Sequence, residues 1–275
     1  MTEVTATPDE AMPHAAFNAL GDNRYQASSL TRGPWHPQQQ HAGPPIALVA
    51  YALEVAAAPH GLLHMARLTA NLLRPVPIAD IELRVQQDYV GRNAGHFSAI
   101  ALADGKELIR ATALFQREDE VAIPEGLPGH PLPLAPKPPS DSTALRMQFA
   151  NDHIGYPDLV ETRVAAGRMF GGPSAVWFRF RHQLVAGQTP SPYQRVAVAA
   201  DSGNGISAIL DLSTHLFVNS DLTINLLRRP VGEWICLDAR THLSSHGGGL
   251  AESALYDELG LIGRATQSLF VRKRE

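Results

Sequence analysis

The chain has 275 residues, of which 44% are hydrophobic and 18% are charged, and its formal net charge is −4. This composition can bury a full core, so disorder is not expected. Without a basic charge excess, nucleic acid and anionic membrane surfaces are not expected as partners, and a small-molecule partner is. The polar N-terminal segment and the lack of a long apolar run predict a cytoplasmic protein with no membrane span.

The first half is predicted to contain a buried helix followed by an antiparallel meander. The mostly apolar segment 46–56 predicts a helix, with Pro44-Pro45 in its first turn, where a missing N–H costs little. Apolar and polar residues alternate over 81–86, as in a strand with one buried face. Further strands are expected over 98–102 and 108–115.

A proline-rich stretch separates the two halves. Residues 124–139 contain seven prolines, a composition that favours extended backbone and a stiff spacer. The predicted organisation is a first unit over 1–123, a linker or crossover over 124–164 and a second unit over 165–275, fused into one structural domain. Recognition of a proline-rich motif by a partner is the alternative interpretation of the stretch.

The second half is predicted to have the same order of elements. Asp201 is expected to cap a helix that begins in the glycine turn 203–205 and continues through the apolar residues up to Leu212. Segments 177–181 and 196–200 are expected as leading elements. The predicted strands of this half lie over 222–227, 234–243, 250–256 and 262–271. Its one cysteine, Cys236, lies in an apolar run and is expected to be a structural thiol rather than a nucleophile.

An internal repeat links the two halves. The segment 68–74 recurs as 222–228 with six identities in seven positions, at an interval of 154 residues. The tripeptide 110–112 recurs as 264–266 at the same interval. Two segments with one interval indicate a tandem duplication.

A central apolar helix wrapped by an antiparallel sheet, twice in one chain, gives an α+β fold that resembles the double hot-dog fold. The chain resembles in particular the acyl-CoA thioesterase II family and the broader thioesterase-like superfamily. The resemblance covers roughly residues 20–118 and 165–273. It depends on the motifs at 40–45 and 72–77 in the first half and at 200–203, 229–234 and 264–267 in the second.

The resemblance implies a hydrolytic site in the second half. By position, Asp201, Ser220 and Gln267 would hold the attacking water, and Asn219 replaces Ser220 if the alignment shifts by one residue. The resemblance implies no metal and no organic cofactor.

The segments around the two helix starts are expected to bind the substrate. Backbone N–H groups of Gly203, Asn204 and Gly205 would face the thioester carbonyl at the positive end of the helix dipole. His41 and Gly43, before the first helix, are the equivalent positions when Gly43 is aligned with Gly203.

The repeat supports the same site independently. At the interval of 154, Ser220 is equivalent to Ala66 and Gln267 to Ala113. The helix alignment makes Asp201 equivalent to His41. A fused dimer that retained chemistry in only one of two equivalent clefts would show this asymmetry.

The predicted function is hydrolysis of acyl-CoA, or of a related acyl thioester, to a free acid and a thiol. The alternatives are a non-catalytic protein that binds acyl-CoA or an acyl lipid, and a hydratase on the same fold. Asp201 has a structural interpretation as a helix cap, and His41 one as a hydrogen-bonded histidine at a helix start. Exposed sheet edges favour a homo-oligomer.

Overall fold

The computed structural model of the chain describes residues 11–129, 131–148, 153–211 and 213–274. Within these ranges fifteen strands form one sheet, against which the helices pack. The strands are β1 Ala15–Gly21, β2 Arg24–Ala27, β3 His64–Leu72, β4 Asp80–Val90, β5 Ala94–Ala103, β6 Lys106–Gln116, β7 Thr143–Ala144, β8 Val160–Gly167, β9 Ser174–Phe180, β10 Gln183–Val185, β11 His215–Asn219, β12 Asp221–Leu226, β13 Ile235–Leu243, β14 Gly248–Asp257 and β15 Gly260–Lys273. The helices are α1 Gly43–Ala57, α2 Tyr156–Leu159, α3 Pro192–Ala200 and α4 Gly203–Ile206. No helix within the described ranges has the length and apolar character needed to cross a membrane.

Strands β3 and β12 pair at the centre of the sheet and join the two halves of the chain. On one side of this pair the order continues as β6-β5-β4-β2-β1, and on the other as β15-β14-β13-β9-β8. The neighbouring strands along these two series are antiparallel. Each half therefore contributes the same arrangement of strands, reversed about the central pair.

The repeat interval of 154 extends from the sequence to the strand register. In the β5–β6 ladder Ala94 pairs with Gln116, and in the β14–β15 ladder the pair is Gly248 and Phe270, each 154 positions later. Both ladders also contain an irregularity, which follows Ala101 in the first half and Leu255, again 154 positions later, in the second. The β5–β6 and β14–β15 ladders are thus alike in register and in the position of this irregularity.

The predicted first helix is confirmed as α1. Pro44 and Pro45 lie in its first turn, and most of its side chains are buried, because it packs against the sheet on one side and against α3 on another. The contact with α3 is close: a Cβ atom on Gly43 would lie 2.7 Å from the carbonyl oxygen of Val198. Glycine at this position therefore lets the two helices approach backbone to backbone.

The predicted second helix is wrong in position. The long helix of this half, α3, ends before Asp201, and the segment predicted to be helical contains only the single turn α4. Residues 207–211 are not helical, and Leu212 lies outside the described residues. The start signal was upstream: Ser191 accepts a hydrogen bond from the N–H of Gln194, whose side chain accepts one from the N–H of Ser191, a complete capping box. Asp201 is consequently at the C-terminal end of a helix and caps no N-terminus.

This correction changes which residues of the two helices are equivalent. Helix α1 spans Gly43–Ala57, and α3 with α4 spans 192–206, so each half has fifteen residues from helix start to helix end. Counted from the first helical residue, Asp201 is equivalent to Ala52 and not to His41. The expectation that His41 is the counterpart of Asp201 is therefore wrong.

A second apolar cluster lies on the other face of the sheet, under the proline-rich stretch. It contains Trp177, Trp234 and Cys236, and the indole N–H of Trp177 donates to the carbonyl oxygen of Lys137 at 2.8 Å. Burial raises the pKa of the Cys236 thiol well above its usual range, so the thiolate is disfavoured. These contacts hold part of the stretch against the second half.

Candidate active site

The carboxylate of Asp201 lies in a buried polar cluster built from both halves of the chain. Its side chain is 4% exposed. One carboxylate oxygen, Oδ1, accepts a hydrogen bond from the side-chain amide of Asn219 at 2.8 Å. The other oxygen, Oδ2, lies 2.9 Å from Nδ1 of His41. A buried carboxylate needs partners of this kind, because an unpaired charge in the protein interior is costly.

His41 joins the first half to this cluster. Its Nδ1 atom is 2.9 Å from Asp201 and 3.1 Å from the backbone nitrogen of Gly43. A ring nitrogen carries either a proton or a lone pair, so it cannot donate to Asp201 and accept from Gly43 at the same time. The short contact between Nδ1 and the carboxylate requires a proton between them, whichever atom holds it. This contact links the first half of the chain to the carboxylate of the second half.

Tyr156 fixes the plane of the His41 ring. The two rings are stacked, with centroids 3.9 Å apart and planes 6° apart. The tyrosine hydroxyl donates to the carbonyl oxygen of Val198 at 2.8 Å and lies 2.9 Å from the hydroxyl of Ser202. Burial raises the pKa of Tyr156 far above its usual range, so the phenol remains neutral. Tyr156 was not identified from the sequence, and no recognisable pattern surrounds it.

Gln267, in the middle of β15, contacts the turn after Asp201. Its Nε2 donates to the backbone carbonyl of Asp201 at 3.1 Å and lies 3.5 Å from the carboxylate. Its Oε1 accepts from the N–H of Asn204 at 2.9 Å. The side chain is buried, and Gly203 allows its approach: a Cβ there would lie 3.0 Å from Oε1 of Gln267 and 2.9 Å from the hydroxyl of Ser253.

Of the two candidates for the third polar residue, Asn219 contacts Asp201. Ser220 is exposed, and its backbone pairs with Ser268 on one side and with Leu72 on the other. Among the described residues, no hydrogen bond of the Ser220 hydroxyl is found. Asn219 is the last residue of β11, and Ser220 lies at the bend that separates β11 from β12.

The residues expected to bind substrate are divided between two places. Gly203, Asn204 and Gly205 belong to the short helix α4, and the N–H of Asn204 is occupied by Gln267. A single turn has little dipole, so the predicted role of this segment as the positive end of a long helix is wrong. The N-terminus of α1, where Gly43 contacts His41, is the helix start that faces the carboxylate of Asp201.

The equivalent region of the other half lacks this cluster. At the interval of 154, Asn219 and Gln267 are replaced by Met65 and Ala113. A different carboxylate is found there: Glu54 of α1 accepts a hydrogen bond of 2.6 Å from the hydroxyl of Ser191, the residue that caps α3. Burial raises the pKa of Glu54 to about 7, although the Ser191 hydrogen bond and the charge of Arg229 oppose the shift.

Comparisons with known structures show the fold. The chain matches a proposed thioesterase of Novosphingobium aromaticivorans with a TM-score of 0.70 at 21% identity, over 93% of this chain and 98% of that one. A hot-dog protein of Alicyclobacillus acidocaldarius gives 0.70 at 17% identity, over 94% and 96%. The acyl-CoA thioesterase II TesB2 of Mycobacterium marinum gives 0.58 at 16%, over 94% and 95%. The fold is therefore that of hot-dog thioesterase neighbours, with a large antiparallel sheet and few helices.

Family models match both halves. Residues 31–116 match the acyl-CoA thioesterase N-terminal domain, and residues 128–271 match the acyl-CoA thioesterase C-terminal domain. A search of curated proteins found no match. The N-terminal domain match precedes the C-terminal domain match, and together the two cover most of the sequence. The resemblance inferred from the motifs is therefore confirmed. The chain belongs to the acyl-CoA thioesterase family.

Proposed function

We propose that this chain hydrolyses acyl-CoA to a free acid and CoA. The observation that carries the proposal is the contact between the buried carboxylate of Asp201 and Nδ1 of His41 at 2.9 Å. A carboxylate that orients an imidazole is an arrangement suited to general-base catalysis. Membership of the acyl-CoA thioesterase family supports thioester hydrolysis as the type of reaction.

In the proposed reaction Asp201 activates water through His41. Both carboxylate oxygens of Asp201 already have partners, and the side chain is 4% exposed, whereas the side chain of His41 is 14% exposed. Among the described residues, Nε2 of His41 has no hydrogen-bond partner, so it is the nitrogen that is free to accept a proton from water. Asp201 stabilises the resulting imidazolium.

The bond changes balance without a further reactant. The water oxygen attacks the thioester carbonyl carbon while its proton passes to Nε2 of His41. The tetrahedral intermediate then expels the thiolate as the carbon–sulfur bond breaks. The thiolate takes the proton back from His41, which leaves the acid, the thiol and the original pair. The N-terminus of α1, beside His41, favours the negative charge that develops on the carbonyl oxygen.

Asn219 and Gln267 position the carboxylate in this scheme. Asn219 holds one oxygen, and Gln267 holds the backbone of Asp201 and the turn that follows it. Hydrogen bonds of this kind keep a catalytic group within the small tolerance that proton transfer needs. Ser220, expected from the resemblance, has no part in the proposal because Asn219 makes the contact.

We also propose that the chain consists of two tandem hot-dog units fused into one domain. The shared strand order, the common register and the bulges at one interval support this interpretation. His41 comes from the first unit and Asp201 from the second, so the proposed site lies between the units.

The proposal is tested by release of free thiol from a panel of acyl-CoA substrates of graded chain length. Asp201→Asn keeps the size of the side chain and an oxygen that can accept from Asn219, but it removes the charge that stabilises the imidazolium. We expect kcat to fall by roughly a hundredfold or more, with a small change in KM and in the melting temperature. A variant that retains full kcat would contradict the role of Asp201.

A non-catalytic acyl-CoA-binding protein is the second candidate function. The observation that favours it is that both oxygens of Asp201 are already hydrogen-bonded, as they are in many structural clusters. This candidate predicts that acyl-CoA binds, as seen by calorimetry, while no chain length in the panel gives thiol release above the uncatalysed rate. Turnover by the parent protein that is lost in Asp201→Asn would exclude it.

A further inference from the structure

A surface cleft lies outside the cluster of Asp201, at the N-terminal end of α3. It has a volume of about 190 Å³ and is lined by residues from the end of β9, from β10, from the segment before α3 and from the first turn of α3. None of the lining residues belongs to the cluster around Asp201 and His41. The cleft is therefore separate from the candidate active site.

The cleft is positively charged in a chain whose net charge is −4. Its walls contain three arginines and one glutamate, which leaves two positive charges when the lining histidine is neutral. Arg179 is neutralised by Glu161, at 2.6 Å, and its guanidinium lies over the ring of Trp234. Glu233, the one acidic residue of the lining, is 68% exposed, so water screens its charge.

With Arg179 paired to Glu161, the remaining positive charges of the lining are those of Arg181 and Arg195, against the one negative charge of Glu233. Arg181 is exposed, and among the described residues its guanidinium has no ion pair or hydrogen bond. Arg195 donates to the carbonyl oxygen of Gly232 at 2.7 Å, which leaves most of its donors unused. Burial lowers the pKa of Arg195, although the charge of Glu233 opposes the shift. A bound anion would offset the free-energy cost of holding the Arg195 charge in this partly buried position.

Neighbouring side chains add neutral donors. The amide oxygen of Gln183 accepts from the N–H of Gly187 at 2.8 Å, so the amide nitrogen remains available. His182 lies in the same wall, and its imidazole ring can donate a hydrogen bond. Two guanidinium groups with an amide and an imidazole form a set of donors that matches phosphate oxygens, since arginine binds phosphate through two parallel hydrogen bonds.

We infer that this cleft binds the phosphate groups of CoA. The inference rests on the proposed function, in which acyl-CoA is the substrate, and assigns the recognition of the nucleotide end to a surface separate from the reacting carbonyl. Helix α3 joins the two places: Arg195 lies in its first turn and Asp201 follows its last residue. Six residues of helix correspond to about 9 Å along the axis. The pantetheine arm of CoA is longer than this.

The experiment compares two substrates with the same acyl group, one carried by CoA and one by N-acetylcysteamine, which has no phosphate. In Arg181→Ala we expect KM for acyl-CoA to rise roughly tenfold with kcat unchanged, as for the loss of one charge-assisted contact. KM for the N-acetylcysteamine thioester should not change. Arg181→Lys should recover part of the affinity for acyl-CoA. Arg92→Ala, which removes an exposed arginine from the turn between β4 and β5, is the matched control and should leave KM for both substrates unchanged.

A rise in KM of equal size for both substrates would overturn the inference, and so would an unchanged KM for acyl-CoA in Arg181→Ala. If the parent protein releases no thiol, the proposed function fails while the cleft is still tested by calorimetry with CoA. Binding of CoA that weakens roughly tenfold in Arg181→Ala would support the cleft. No binding of CoA, or binding of inorganic phosphate as tight as that of CoA, would overturn it.

Discussion

The hydroxyl of Thr223 donates a hydrogen bond to the hydroxyl of Thr69 at 3.2 Å, and the two residues are directly opposite each other on β12 and β3. They are also 154 positions apart, which is the interval of the repeat. A residue faces its own counterpart in this way only at a twofold axis. The axis that relates the two halves therefore passes between β3 and β12.

Asn219 and Ser220 provide a matched pair of substitutions at the candidate site. Asn219→Ala removes the amide that donates to Asp201 at 2.8 Å and leaves one buried carboxylate oxygen with a weaker partner. We expect the free energy of unfolding to fall by about 1–3 kcal/mol and kcat to fall with it. Ser220→Ala alters an exposed hydroxyl and should change neither quantity. Chemical denaturation measures the free energy of unfolding, and thiol release measures kcat. A larger loss of kcat in Ser220→Ala than in Asn219→Ala would restore Ser220 as the third site residue, as the resemblance implies.

His41 and Asp201 should behave as one unit in a double-mutant cycle. His41→Gln removes the base, and we expect kcat to fall by roughly a hundredfold or more. Because Asp201 acts only through His41 in the proposed reaction, the double variant with Asp201→Asn should be no slower than the slower single variant. The cycle is measured by thiol release under saturating substrate. Losses that multiply would mean that the two residues act independently.

Gly203 and Gly205 test the packing behind Gln267. A Cβ on Gly203 would meet the Gln267 side-chain oxygen at 3.0 Å and the Ser253 hydroxyl at 2.9 Å, whereas the nearest atom to a Cβ on Gly205 is 4.0 Å away. Gly203→Ala should therefore destabilise the fold by about 1–3 kcal/mol and reduce kcat, because Gln267 must move. Gly205→Ala should be neutral or slightly stabilising. Equal melting temperatures for the two variants would show that Gln267 is not tightly held.

Glu54 predicts a pH dependence of stability. The pKa of Glu54 is about 7 in the folded chain, compared with an ordinary value of 4.5. Between pH 4.5 and pH 7, Glu54 is therefore mostly deprotonated in the unfolded chain and mostly protonated in the folded chain. The free energy of unfolding should therefore fall as the pH rises from about 4.5 to 7, by at most roughly 3 kcal/mol. Glu54→Gln keeps an acceptor for Ser191 and removes the titration. Above pH 7 the variant should be the more stable protein in urea denaturation, and near pH 4.5 the two should be similar. A stability difference that does not vary with pH would contradict the assignment.

The strands were predictable because alternation and repetition both mark them. The segment predicted over 222–227 is displaced from β12 by one residue, and the segment predicted over 262–271 lies inside β15. Both were recognisable because a half-buried strand alternates apolar and polar residues. Because the sequence repeats, a strand recognised in one half also predicts a strand at the equivalent position in the other half. The strands outside the repeat signal, among them β1 and β11, were not identified.

The position of the second helix was not predictable from apolar content, which continues on both sides of Asp201. The decisive signal was local: Ser191, Pro192 and Gln194 mark a helix start, and two glycines after Asp201 weaken its continuation. Asp201 and Gln267 were expected at the site from the resemblance. Tyr156 was not, because its role depends on a ring stacked against His41 from a distant part of the chain.

The pairing of β3 with β12 has a consequence for how the chain can be divided. The seam between the halves is a ladder of backbone hydrogen bonds and packed helices, so it does not depend on the covalent connection through residues 124–139. Two polypeptides cut within that stretch and produced together should associate and restore the parent protein by complementation. Neither fragment alone would contain the whole proposed site, since one carries His41 and the other Asp201.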